Sequence, residues 1–304
     1  MKYGIQLPVQ SQSTIYAEPW EAGAGPEDLA EVARAADRAG FDYVAACDHV
    51  AIPRRLAPAM STVWYDPVAT LAFLAGVTGR VRLLSHVAVV GLRHPLLTAK
   101  QYATLDHLSG GRLILGVGAG HVQEEFEALG ADFEHRGAVL DETIDALRAA
   151  LGDEFPVHHG KLYDFEGLGQ RPRPAQARVP LWVGGSSPAA VRRAALKGDG
   201  WLPQGDPRAR LPAQIATLRR LRGDGPPLTI GAITEPLYVG SPAWEVGRRT
   251  LTGPPEALVE PLREYREMGV DQIQVRFRCR DIGELTDQMA QFGAEVGPLL
   301  DAGY

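Results

Sequence analysis

The sequence predicts an α/β fold, a single (β/α)8 TIM barrel running through residues 1–304. Three observations carry that expectation. Short apolar runs of strand length alternate with stretches of helical period, and turns marked by glycine or proline separate them. The stretch Val179–Pro203, VPLWVGGSSPAAVRRAALKGDGWLP, joins a strand, a turn, a helix and the next strand in one unit. Such a βαβ unit requires parallel pairing. Finally, 304 residues with 45% hydrophobic content allow one large core. A doubly wound sheet is also compatible with this length, but eight strands alternating with helices match the barrel better.

The elements follow in order. Tyr3 to Leu7 is a strand, and Leu29, Val32, Ala33 and Ala36 mark a helix that Gly40 stops. Phe41 to Cys47 is the second strand, ending in Asp48-His49. Asp66-Pro67 caps a helix through Gly79. Val81 to Val90 is expected as the third strand, and His94-Pro95 opens a helix that ends at Ser109-Gly110-Gly111. Leu113 to Val117 is the fourth strand, running into Gly118-Ala119-Gly120. Two helical stretches follow, the second with Leu140, Ile144, Leu147 and Leu151 on one face. Helical period is lost over residues 153–178, where Val157, Tyr163 and Phe165 among Gly and Pro read as an inserted hairpin and loop after the fourth strand. Pro180 to Val183 and Trp201 to Pro203 are strands five and six. Leu228 to Val239 contains the seventh, Gln272 to Phe277 is the eighth, and a helix from Ile282 to Leu299 closes the chain.

Composition narrows the function classes. A formal net charge of −6 argues against a surface for nucleic acid or anionic membrane. No apolar run reaches membrane-span length and no signal-peptide pattern opens the chain, so a soluble cytoplasmic protein is expected. Cys47 and Cys279 lack metal-ligand spacing and read as buried thiols.

In a parallel barrel, chemistry belongs at the C-terminal strand ends. That rule gathers Asp48, His49, Ser85, His86, Gly118, Gly120, Gly184, Gly185, Gln204 and Arg276 near one mouth. Gly184-Gly185-Ser186-Ser187 before Pro188 is the best phosphate cradle, because glycines permit close approach and a helix start presents free N–H groups. An ordinary strand-to-helix turn is the alternative. His121 stands where a G-x-G-x-x-G fingerprint needs its third glycine, so the dinucleotide motif is broken. No metal site is expected: the first strand has no H-x-H pair, and His158-His159 falls in the inserted segment. Ser186-Ser187 lacks a nucleophile elbow. His49 is the strongest acid/base candidate, with Asp48 placed to orient or charge it; the alternative is that the pair caps backbone groups of the loop.

These residues resemble the bacterial-luciferase-like superfamily, in particular its oxidoreductases that use the deazaflavin coenzyme F-420. The resemblance rests on Phe41-Asp42-Tyr43 with Cys47-Asp48-His49, on Leu92-Arg93-His94-Pro95, and on Ser109-Gly110-Gly111-Arg112. It continues through Gly116 to Gly120 with Glu124-Glu125-Phe126, Trp182-Val183-Gly184-Gly185 and Gly198-Asp199-Gly200-Trp201. It implies a non-prolyl cis peptide at the end of strand three, by position His86-Val87, whose bulge backs a flavin-type ring, with Ser85 beside it. It also implies that His49 exchanges the proton accompanying hydride transfer to or from a small organic substrate. Where the sugar-phosphate dehydrogenases of this branch have a glutamate, this chain has His121, which argues against a sugar phosphate. Cys47 replaces the usual serine.

The resemblance leaves three readings: a deazaflavin oxidoreductase, favoured here; a two-component monooxygenase receiving reduced FMN from a separate reductase; and a non-catalytic flavin-binding barrel. Arg54 and Arg55, a few residues past His49, are expected at the mouth, where their charge would hold the acidic tail of the deazaflavin; solvated surface charges are the alternative. The partner is a small-molecule substrate; pairing into homodimers is left open.

Overall fold

The computed structural model describes residues 1–14, 16–205 and 207–301. In chain order the strands are β1 (Lys2–Gln6), β2 (Tyr43–Ala46), β3 (Arg82–Ser85), β4 (Leu113–Val117), β5 (His158–His159), β6 (Asp164–Phe165), β7 (Leu181–Gly184), β8 (Gly200–Leu202), β9 (Thr229–Ile233), β10 (Leu237–Val239), β11 (Leu251–Gly253) and β12 (Gln272–Val275). Eight of them close a barrel in the order β1-β2-β3-β4-β7-β8-β9-β12, every pair parallel. The main helices are α1 (Pro26–Arg38), α2 (Ala57–Met60), α3 (Pro67–Ala75), α4 (Pro95–Leu108), α5 (Gln123–Ala128), α6 (Arg136–Gly152), α7 (Pro188–Lys197), α8 (Leu211–Arg222), α9 (Pro255–Glu267), α10 (Ile282–Gln291) and α11 (Gly297–Asp301). None is long and apolar enough to cross a membrane.

Local chemistry explains the starts. Asp66 and Ser187 each accept a hydrogen bond from the third backbone N–H of their helix, with proline at the first position. Such a cap contributes about 1 kcal/mol. The inserted segment is an antiparallel hairpin, β5 with β6, between α6 and β7. Beyond the expected elements, β10 and β11 form a parallel pair outside the barrel.

Most of the core lies between barrel and helices, in one continuous cluster. A second cluster of Tyr43, Ala45, Leu84, Ile114, Trp182 and Leu202 fills the barrel interior. The Tyr43 and Trp182 rings meet edge-on with centroids 5.9 Å apart. Each ring needs a glycine opposite: a Cβ on Gly4 would lie 2.4 Å from Tyr43, and one on Gly200 would lie 2.4 Å from Trp182. Inward residues alternate along a strand, so the interior positions of β12 are Gln272 and Gln274. The aromatic layer plugs the barrel, and open space begins above it.

The third strand is shorter than its apolar run. After Leu84 pairs with Ile114, the ladder resumes at Ala88 opposite Val117, four residues against three. One extra residue makes a bulge. It contains the cis peptide His86-Val87.

Candidate active site

A cavity of ≈ 680 Å³ opens at the C-terminal ends of the strands. Its wall at β3, β4 and β7 is built around Val87. A Cβ on Gly118 would lie 2.3 Å from one Val87 methyl, and one on Gly184 would lie 2.5 Å from the other. The glycines therefore leave room for the bulge side chain, and through it shape the cavity, rather than opening space directly. Gly120 lines the same wall in a left-handed conformation, φ 76°. Ser85 does not line the cavity: it is fully buried, and its hydroxyl clips β3 to β4 by donating to the Gly116 carbonyl (2.9 Å) and accepting from the Gly116 N–H (3.0 Å).

Asp48 holds this wall in place. Its buried carboxylate receives two bonds from Arg93, 2.6 and 2.9 Å, and one from the Val89 N–H, 2.8 Å, just past the bulge. With both oxygens engaged, Asp48 makes no bond to His49. The expectation that it orients the histidine is corrected by its partners, since Arg93 and the Val89 N–H hold the carboxylate on the β3 side.

Glu125 takes that role. From α5 its carboxylate Oε2 lies 3.1 Å from His49 Nδ1, while Oε1 accepts the Val50 and Ala51 N–H groups at 2.5 and 3.1 Å. Burial opposes its ionisation, but the bonds from His49, Ala51 and Val50 together hold its carboxyl below the usual range. A carboxylate can only accept, so His49 Nδ1 carries the proton and Nε2 is left for other work. The imidazole is flanked edge-on by Trp64 (centroids 4.6 Å apart) and His121 (5.4 Å). His121 stands at the rim; packing around its ring and the nearby His49 hold its pKa below the ordinary value, against the pull of Glu125.

His86 lines the same cavity from the bulge. Burial lowers its pKa to about 4, which keeps it neutral near pH 7. Its Nε2 is 3.1 Å from the Gln204 amide nitrogen, and its buried Nδ1 has no partner. With the amide donating, Nδ1 is an unused N–H donor on the cavity wall.

The start of α7 forms the cavity's anion-accepting corner. Gly185, at φ 106°, turns the chain, and its N–H bonds to the Leu202 carbonyl at 3.1 Å. Gly184 belongs to the barrel ladder. Ser186 and Ser187 leave their backbone N–H groups without a protein partner among the described residues, while their hydroxyls hold Gln204 and cap α7. Two arginines absent from the expected site reach this corner: Arg136, stacked 4.0 Å over Phe133, and Arg193, held by Asp141 at 2.7 Å. Arg54 and Arg55, by contrast, are exposed and do not line the cavity, and Arg55 is paired with Glu124 at 2.5 Å. The local charge expected from them comes from α6 and α7 instead. No group of three potential metal ligands occurs among the described residues.

A cavity at the strand ends of a parallel barrel, bordered by an oriented imidazole on one side and by free backbone N–H groups and two arginines on another, has the position and the groups of a barrel enzyme's active site. The chain belongs to the luciferase-like monooxygenase family, whose profile matches residues 1–242. It is 34% identical over 206 residues to an uncharacterized protein of Mycobacterium tuberculosis, covering 63% of this chain and 70% of that one. It is also 34% identical over 185 residues, 59% of this chain and 52% of the other, to an F-420-dependent glucose-6-phosphate dehydrogenase of Nakamurella multipartita. Among solved structures, a monooxygenase of Streptomyces bottropensis superposes with a TM-score of 0.82 at 23% identity, over 98% of this chain and 99% of that one, which establishes the shared fold. The protein is an enzyme of this family.

Proposed function

We propose that the protein is an oxidoreductase that uses the deazaflavin coenzyme F-420 to reduce or oxidise a small organic substrate, with His49 moving the proton. The observation that carries this reading is the His49–Glu125 pair at the edge of a cavity backed by Val87. Glu125 fixes which nitrogen is protonated, leaving Nε2 free to take a proton from a substrate hydroxyl or, once charged, to return one to a substrate oxygen. The similarity to a relative named for F-420 dependence supports the choice of cofactor.

The residues present fit such a group. The Ser186 and Ser187 N–H groups and the Arg136 guanidinium would hold its phosphate, and the unpaired His86 Nδ1–H would donate to a ring acceptor. Val87 would support the ring face. The coenzyme, when bound, supplies or accepts the hydride, and the chain's share is positioning and proton management. His121, beside His49 at the rim, borders the substrate's entry.

Equilibrium titration of the apo protein with each cofactor tests the assignment. The deazaflavin should bind at least about tenfold more tightly than FMN, a difference of about 1.4 kcal/mol. Arg136→Gln should weaken both, because both carry the phosphate. Tighter binding of FMN would move the enzyme to the flavin monooxygenases of its family.

A further inference from the structure

Three arginines line the cavity, and two have duties toward the protein. Arg193 bonds to Asp141 and to the Gly137 carbonyl, and Arg136 donates to the Phe133 carbonyl while stacking on that ring. Arg276 differs. Among the described residues its guanidinium donates no hydrogen bond and reaches no carboxylate within 4.0 Å, and its side-chain neighbour is the Tyr16 ring, 5.1 Å away.

Its position is built. Gln272 and Gln274 point into the barrel from β12, and Arg276 is the next inward position, standing over the axis at the mouth. Its backbone is fixed from outside the barrel, since the Leu237 N–H bonds to the Arg276 carbonyl at 2.8 Å and the Arg278 N–H returns to Leu237 at 2.9 Å. The carboxylates nearby are otherwise engaged. Glu18 pairs with Arg278 at 2.9 Å, and Glu21 accepts the Val9 and Glu18 N–H groups, both at 2.8 Å. In the barrel order β12 lies four strands from β4 on either path, so Arg276 faces the β4 wall across the mouth, three strands from the β7–α7 corner.

A guanidinium presents a planar fork of donors that matches a carboxylate. Five donors on a cavity wall with no protein acceptor are therefore a recognition element for an anion. The rest of that space is bordered by Met60, Trp64 and Ile233, which favour an apolar body. We propose that the substrate is a small organic carboxylate, its acid group held by Arg276 and its apolar body directed toward Trp64 and His49. This rests on the preceding section's reading that substrate enters this cavity, and it adds the substrate class.

The test uses benzoate against benzamide, which share size and shape and differ in charge. Each is titrated calorimetrically into the apo protein in excess inorganic phosphate, which occupies the α7 cradle. Benzoate should bind at least about tenfold more tightly, and that preference should vanish in Arg276→Gln and persist in Arg136→Gln. Arg276→Lys keeps the charge beside Glu18 and Glu21 but loses the planar fork, and should weaken benzoate about threefold or more. Equal affinities in the wild type, no binding of benzoate, unchanged affinity in Arg276→Lys, or a preference lost in Arg136→Gln and retained in Arg276→Gln would each overturn the proposal. The cofactor titration is run without benzoate, so failure of one leaves the other readable.

Discussion

Asp48 and His49 are neighbours at the end of β2, yet they serve different structures. Asp48 turns into the β3 side and is held by Arg93 and the Val89 N–H, so it is a fixed part of the wall behind Val87. His49 turns to the cavity and is held by one bond, which its Nδ1–H donates to Glu125, with a nitrogen left over. The first is a buried ion pair whose worth lies in not being broken. The second is a titratable group whose worth lies in changing state. Sequence adjacency suggested a working pair; the separate partners of the two side chains divide it into architecture and chemistry.

The division can be broken most forcefully at Asp48. Asp48→Ala leaves the half-buried Arg93 without its main partner and the Val89 N–H without its acceptor, and should cost about 2–4 kcal/mol, read as a lowered urea midpoint. If stability barely changed, Asp48 would not be holding the wall. His49→Ala should do the reverse, with turnover about 100-fold lower and a loss of stability of only about 1–2 kcal/mol, smaller than that of Asp48→Ala because Glu125 keeps the Val50 and Ala51 N–H groups. A variant that lost stability but kept its rate would erase the distinction between the two neighbours.

Much of the barrel was legible in the chain. Leu113–Val117 matches its predicted strand, and the caps Asp66, His94 and Ser187 sit where their side chains and following prolines placed them. The third strand was overrun, because an apolar run looks the same through a bulge as along a ladder; only the shift from Leu84–Ile114 to Ala88–Val117 exposes the extra residue. Most of the expected site positions, His49, His86, Val87, Gly118, Gly120, Gly184 and Ser187 among them, border one cavity, because strand ends of a closed barrel converge whatever their separation in sequence. Arg54 and Arg55 were misplaced because proximity in sequence to His49 says nothing of which way a loop turns.

Glu125 was missed for a reason that can be named. Among Glu124, Glu125 and Glu127 it reads as part of a solvated acidic face. The signal lay in its spacing. Val122, Glu125, Phe126 and Leu129 fall three and four apart on one stripe, and a carboxylate on an otherwise apolar stripe is buried and needs a partner. The structure buries Glu125 and supplies His49.

The most direct measurement of the central claim is the tautomer of His49, read from the imidazole nitrogen-15 shifts of the apo protein with Glu125→Gln as comparison. Because the Glu125 carboxyl lies below its ordinary range, it is ionised at neutral pH and through mild acid, and it should direct the proton to Nδ1 throughout that window. At neutral pH in the wild type, Nδ1 should show the protonated signature and Nε2 the bare one, with the pattern weakened in Glu125→Gln. A proton resident on Nε2, or a tautomer balance indifferent to Glu125, would contradict the account, leaving His49 without the orientation that proton transfer requires.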